Sequence, residues 1–268
     1  MKIVAWIGSQ ANQKALVNKI HQQFPLAGII IETPNVKRKI TVKLLFNAVI
    51  EKIFLSKVGK LWWGTLNFYE EQYKDHPAVP TINVENINSD EAFEFTRSLA
   101  ADIIIVSGTR LVKKKMISIA PAIGILNLHT GLSPYIKGGP NCTNWCIATN
   151  QFHLIGNTIM WLDAGIDSGN IITTEFTPLN AAEPLEKVHI RVMEHAHDLY
   201  CRAIQHLAQG KRNNVAQSTI AEGTTYYNKQ WTLKNKYLLF KNFKNFKTVL
   251  LSDNYKKLKE NIVTVHLQ

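Results

Sequence analysis

At 268 residues, 46% hydrophobic and 19% charged, the chain can bury a core without staples and has room for one large domain or one domain with a small appendage. No apolar run approaches the ~18 residues of a membrane span, and three cysteines (Cys142, Cys146, Cys201) make an odd, sparse set that argues against a disulfide framework and for a reducing, cytoplasmic compartment. The formal charge of +11 concentrates in two stretches, seven basic residues against Glu51 over 37–60 and nine lysines against Asp253 and Glu260 over 229–260, so the remaining body is nearly neutral and nucleic acid is not the expected partner.

The opening MKIVAWIGSQANQ holds a single lysine and a short apolar stretch, too short for a signal-peptide core and without a cleavage site. It reads instead as strand Lys2–Ile7, a turn at Gly8–Ser9 and a helix over Lys14–Phe24, followed by strand Leu26–Ile31. The runs AGIII, ADIIIVSG and GILNLH are continuously apolar rather than alternating, as in parallel strands covered on both faces. A doubly wound α/β sheet follows. The turn GSQANQ lacks both GxGxxG and GxxxxGK, so neither a nicotinamide cofactor nor a nucleoside triphosphate is indicated.

Residues 37–75 interrupt this rhythm. Val42, Leu45, Phe46, Val49, Ile53 and Phe54 recur at helical spacing before LWWGTLNFYEEQY, which predicts a helical insertion, read first as packed on the domain with its lysines in solvent and second as a helix that docks a membrane surface or a substrate. Strand Ile103–Val106 then leads through SGTRLV to the basic, helix-like KKKMIS, and GILNLH carries a strand into a loop rich in glycine and proline. A helix is expected over Asn144–Asn150, then two strands within IGNTIMW and TTEFTPL separated by Asp163-Ala164-Gly165-Ile166-Asp167-Ser168-Gly169. Helical period runs through Glu183–Gln209 and stops at Gly210. Residues 1–210 therefore form the expected main α/β domain, and 211–268, where aromatics alternate with lysines, a small basic appendage.

Two constellations carry candidate chemistry. Asn127 and His129 lie two apart at a strand end and so share a face, pairing an amide donor with a group that titrates near neutrality. The loop after them holds Pro134, Gly138, Gly139 and Pro140, which suit a rigid binding loop. Asp163 and Asp167 lie among glycines, where a ligand and a plain Asp-Gly turn are both compatible readings, and the bidentate Glu that closes a calcium loop is missing. No metal is expected: Cys142 and Cys146 have no matching partners, and His189, His195 and His197 do not form HExxH. Trp62, Trp63, Trp145 and Trp161 read as core aromatics.

Taken together, NLHTGLSPYIKGGPNCTNW and GNTIMWLDAGIDSGNII resemble the formyltransferases that use 10-formyltetrahydrofolate, a family acting on glycinamide ribonucleotide, methionyl-tRNA and nucleotide-linked amino sugars. The resemblance is tight over 124–172 and looser from residue 1 to Gly210. It implies a Rossmann-like, mostly parallel sheet and catalytic roles for Asn127, His129 and Asp167. It further implies folate binding by the loop Arg110-Leu111-Val112, with Asp163 nearby, and a homodimer. Gly131-Leu132-Ser133-Pro134 stands where many relatives have Ser-Leu-Leu-Pro, a departure beside the acceptor rather than the folate. The length, with a short appendage, is most like the sugar N-formyltransferases, whose acceptors are nucleotide-linked amino sugars for surface polysaccharides such as the lipopolysaccharide O-antigen; basic side chains suit their pyrophosphate. The competing readings are another amine acceptor, or a fold kept only to dock RNA or an anionic surface.

Overall fold

The computed structural model describes residues 1–35, 49 and 56–267. It opens with β1 (Ile3–Gly8), α1 (Ala11–Gln23) and β2 (Leu26–Glu32), the expected βαβ unit. All six residues of β1 are buried, because this strand lies inside the sheet and is covered on both faces. Most of the predicted apolar insertion, residues 36–48 and 50–55, lies outside the described residues, while its aromatic second half forms α2 (Ser56–Gln72). The structure adds β3 (Thr81–Val84) and α3 (Asp90–Leu99), the latter started by the Ser89 hydroxyl accepting from the Ala92 N–H with Asp90 and Glu91 in its first turn.

Next come β4 (Ile103–Ser107), the short α4 (Lys114–Ile117) and β5 (Gly124–His129). The glycine- and proline-rich loop contains β6 (Ile136–Gly138) and runs into α5 (Cys142–Ala148), two residues earlier than the sequence suggests because Asn141 caps it through the Asn144 N–H. The antiparallel pair β7 (Gly156–Trp161) and β8 (Ile171–Phe176) flanks the Asp-Gly loop. The long α6 (Leu185–Ala208) ends before Gly210, whose φ of +78° is the left-handed stop that the glycine signals. Beyond it lie β9 (Thr224–Tyr226), α7 (Leu233–Phe243), α8 (Phe246–Leu250) and α9 (Asp253–Glu260).

The main sheet has the order β3-β2-β1-β4-β5-β7-β8, parallel through β5, with β7 antiparallel to both its neighbours. Alternate residues of β1 feed two cores. Ile3, Ala5 and Ile7 pack with Leu16 and Ile20 of α1 and Leu199, Ala203 and Ile204 of α6, and Val4 and Trp6 pack on the other face with Ala92 and Met116. Each fully buried Ile, Leu, Val or Met side chain among them is worth roughly 1.5–3 kcal/mol of transfer free energy. Asn242 of α7 donates to the Ile147 and Ala148 carbonyls at 3.1 and 2.9 Å, and Leu239 and Phe246 join Trp145 and Phe152 in a third cluster, so the basic tail is packed on α5. Among the described residues no helix is long and apolar enough to cross a membrane, and all three cysteines are buried and unpaired.

The β4–β5 ladder ends at Val106 and Asn127. There the Tyr200 hydroxyl accepts from the Val106 N–H at 2.9 Å and donates to the Leu126 carbonyl at 2.8 Å, tying the two strands just before they part. The crevice beyond these carboxyl ends is where open α/β sheets place ligands.

Candidate active site

A cavity of about 670 Å³ occupies this crevice. Its walls come from five segments: Val106 to Val112 at and after the end of β4, Asn127 of β5, Gly138 and Gly139 at the end of β6, Met160 to Gly169 around the Asp-Gly loop, and Tyr226 to Lys229 of the C-terminal region. Asn127, Asp167, Asp163, Arg110, Leu111 and Val112 all line it. The structure thus brings the separated candidate residues to one place.

Asp167 is the hub. Its carboxylate accepts from Asn127 Nδ2 at 3.2 Å and from the Gly138 N–H at 2.9 Å, and one oxygen lies 3.3 Å from His129 Nδ1. An amide nitrogen carries two hydrogens, so Asn127 can serve Asp167 with one and turn the other toward the cavity. The carboxylate is well supplied with donors on the protein side and faces the ligand space on the other. Asp167 has φ of +48°, a conformation that a non-glycine residue holds only where its surroundings over-determine it.

His129 sits differently. It is only 7% exposed and lies behind Asp167 rather than on the cavity wall. Its Nε2 is 3.2 Å from the Ile136 carbonyl and 3.6 Å from Cys142 Sγ. Burial is the largest single influence and pulls its pKa down, but Asp167 and, less, Cys142 and the Ile136 carbonyl outweigh it and hold the imidazole up at about 10. Both ring nitrogens face acceptors, which suits an imidazolium donating from Nδ1 to Asp167 and from Nε2 to Ile136. Cys142, read as an ordinary thiol, is therefore a neighbour of this pair, and burial first of all pushes its own pKa up, away from the reactive thiolate.

Gly138 shows why the loop needs glycine. Its φ is +87°, and a Cβ would collide with the Tyr226 carbonyl oxygen, where β9 pairs with β6 in parallel. The Gly139 N–H donates to that same carbonyl at 3.0 Å, and the Tyr226 ring stacks on Trp145 with centroids 4.2 Å apart. The C-terminal segment is thereby pressed against the loop that supplies a donor to Asp167.

The loop carrying Arg110 and Leu111 is held from beneath by Glu32, at the carboxyl end of β2. This carboxylate is 1% exposed and accepts from the Ile87 N–H at 2.8 Å and the Arg110 N–H at 2.6 Å. The Leu111 carbonyl accepts from Asn88 Nδ2 at 3.0 Å. Two backbone groups of the loop are thus spent on shaping it. Asp163 is also engaged internally, accepting from the Gly165 N–H at 3.0 Å and from the Ser168 hydroxyl at 2.7 Å, so on this geometry it shapes the Asp-Gly loop while lining the cavity. Glu32 and Gln217, whose amide nitrogen meets the Asp167 and Gly169 carbonyls, carry no motif; an acid closing the otherwise apolar run LAGIIIE is the one visible sign of the first.

The other histidine candidates lie apart from this centre. His195 pairs with Glu175 at 3.1 Å and Asn157 at 2.9 Å, and His189 and His197 are buried in α6. Among the described residues no cluster of His, Cys, Asp or Glu is arranged to hold a metal ion.

The cavity volume lies within the roughly 300–1,000 Å³ typical of small-molecule sites. Val106, Leu111, Met160 and Leu162 supply apolar wall, and Asp163 and Asp167 supply carboxylates. A second cavity of about 300 Å³ adjoins the same loop, with Pro140, Asn141, Asn144, Gln10 and His189 on its walls.

Comparison with known proteins agrees with this architecture. Methionyl-tRNA formyltransferase of Citrifermentans bemidjiense is 28% identical over 133 residues, half of this chain and 41% of that protein, so the match spans well under two thirds of the relative. Among solved structures, a sugar N-formyltransferase from a Shewanella species superposes with a TM-score of 0.57 at 13% identity, covering 89% of this chain and 87% of that one. An N-formyltransferase from Helicobacter canadensis, in complex with folinic acid and dTDP-3-aminofucose, gives 0.55 at 16% identity over 91% and 81%. At such identities these likenesses speak to the fold. A family model described as formyl transferase matches residues 2–204, three quarters of the sequence, including Arg110, Leu111, Val112, Asn127, His129, Asp163 and Asp167, and on that match the chain belongs to the formyl transferase family.

Proposed function

We propose that this chain moves a formyl group from 10-formyltetrahydrofolate to the amine of a nucleotide-linked amino sugar. The observation that carries the transfer is the convergence of Asn127 and Asp167, backed by His129, on the wall of a cavity large enough for a folate. The amine nitrogen attacks the formyl carbon, giving a tetrahedral oxyanion. Its collapse breaks the bond to the folate N10, which gains a proton as the amine loses one, leaving tetrahydrofolate and a formamide.

Each group has a physical task in that sequence. The second amide hydrogen of Asn127 is directed at the oxyanion, an interaction worth on the order of 10²–10³ in rate. Asp167, on the cavity wall, takes the proton that the amine sheds once it has bonded to the carbonyl carbon. The positive charge of His129 lies behind Asp167 and holds its carboxylate in place at 3.3 Å. The loop Arg110-Leu111-Val112 and Asp163 border the folate; Arg110 and Lys229, the cations on the cavity wall, meet anionic groups of the ligands. No metal is assigned a part.

For the acceptor, support comes from the C-terminal region and from the folds it resembles. The superpositions on the two sugar enzymes reach about nine tenths of this chain, whereas the match to the tRNA enzyme stops at half of it. That sequence match nevertheless makes methionyl-tRNA the second reading. Formation of surface polysaccharide, a homodimer and a cytoplasmic site of action, which three unpaired buried cysteines suit, belong to the sugar reading. The intact Asn127, His129 and Asp167 set favours catalysis over a purely binding role. The test is the purified protein with 10-formyltetrahydrofolate and dTDP- or UDP-linked amino sugars: a product heavier by one formyl group supports the assignment, and formylation of charged initiator tRNA alone would replace the acceptor.

A further inference from the structure

We propose that Gln217 is a positioning residue for Asp167, acting from a part of the chain beyond the residues matched by the family model. The inference rests on the formyl-transfer reading and adds to it a residue that sets the geometry of its central carboxylate.

Gln217 starts a short 3-10 turn, Gln217–Thr219, and is 8% exposed. Its Nε2 is 2.8 Å from the Asp167 carbonyl and 2.8 Å from the Gly169 carbonyl. One amide nitrogen thus spends both hydrogens on the two peptide groups that bracket Ser168, while its Oε1 is buried without a partner among the described residues. A side chain that leaves its own oxygen unsatisfied to make these two bonds is held there by the rest of the fold. The holding is visible: Val215, two residues earlier, forms an antiparallel bridge to Ile171 with bonds of 2.8 and 3.0 Å in the two directions.

The bracketed backbone needs support. Asp167 is in the left-handed region at φ of +48°, and its carboxylate must meet Asn127, Gly138 and His129 at once. Ser168 and Asp163 tie the near side of this loop together, and Gln217 fixes the far side through the Asp167 and Gly169 carbonyls. If these bonds are lost, Asp167 relaxes and its carboxylate leaves the three donors. A glutamate at 217 would set oxygen against two carbonyl oxygens, and a leucine would fill the space without donating.

The experiment compares the full-length protein with Gln217→Leu and Gln217→Glu, with Gln217→Met held ready if either fails to fold. Asn242→Leu is the control, since Asn242 bridges two carbonyls in the same manner but at the end of α5, away from Asp167. Two readouts are taken. The first is kcat with 10-formyltetrahydrofolate, expected to fall at least about tenfold in the Gln217 variants. The second is the imidazole titration of His129 by NMR, faced by the titratable groups Asp167 and Cys142. Its midpoint is expected to drop by about one pH unit or more as Asp167 moves away, whereas Asn242→Leu loses thermal stability with the midpoint in place. A wild-type midpoint in the folded Gln217 variants would overturn the inference. A wild-type protein that transfers no formyl group would overturn the reaction but leave the titration arm to decide the role of Gln217.

Discussion

Replacing Asp167 by asparagine removes the charge at the hub of the site while nearly preserving its shape. In the native protein His129 is held at about 10 despite its burial, against about 6.5 for the unfolded chain. A group whose pKa is raised on folding stabilises the fold fully below the unfolded value, and loses that contribution as the pH climbs toward the folded value. The wild-type protein should therefore lose stability, on the order of a few kcal/mol, between about pH 6.5 and pH 10 from this site. In Asp167→Asn the negative charge that does most to hold the imidazole protonated is gone and burial takes over, so His129 is neutral near pH 7 and the slope disappears. Urea unfolding of both proteins at pH 7, 8.5 and 10 measures it. The variant is expected to be clearly less stable at pH 7, with the gap narrowing as the pH rises. A gap that stays constant, or widens toward pH 10, would refute the coupling of His129 to Asp167. Turnover of the variant should fall at least about a hundredfold.

Four further outcomes follow from the geometry. Asn127→Ala should lower kcat by on the order of 10²–10³ with little change in melting temperature, since the side-chain bond it gives up is the one to Asp167; steady-state kinetics beside a thermal melt checks both. Gly138→Ala forces a side chain into the left-handed region and against the Tyr226 carbonyl, and should cost about 1–3 kcal/mol of stability in denaturant titration. Glu32→Gln replaces an acceptor of two backbone N–H groups, and should raise the KM for 10-formyltetrahydrofolate roughly tenfold with a smaller effect on kcat. Lys229→Gln should raise the KM of a ligand, because Lys229 lines the cavity, whereas replacing Lys241, Lys244 and Lys247 together by Gln should leave every KM unchanged.

Much of this architecture is legible in the amino-acid sequence, for identifiable reasons. Strands β1, β2, β4 and β5 are runs of Ile, Val and Leu because a parallel sheet covered on both faces allows little else, and their ends fall within one or two residues of the expected ones. Strand β3 leaves little trace because TINV is a short edge strand with two exposed residues, although Ser89-Asp90-Glu91 announces the helix after it. The two-apart spacing places Asn127 and His129 on one side of β5, but which of them reaches the cavity depends on a tertiary detail. The loop carrying Ile136 and Cys142 folds back over the imidazole and leaves Asp167 on the wall instead. Strands β6 and β9 are three residues each and pair across 88 positions, and Gln217 meets Asp167 across 50, separations at which no local pattern operates.

The most direct test of formyl transfer is an acceptor panel read by mass. Purified protein is incubated with 10-formyltetrahydrofolate and, separately, dTDP- and UDP-linked amino sugars, glycinamide ribonucleotide and charged initiator tRNA, following tetrahydrofolate release and product mass together. Stoichiometric tetrahydrofolate and a formylated nucleotide sugar are the predicted result. Absence of tetrahydrofolate release with every amine, together with no detectable folate binding, would contradict it.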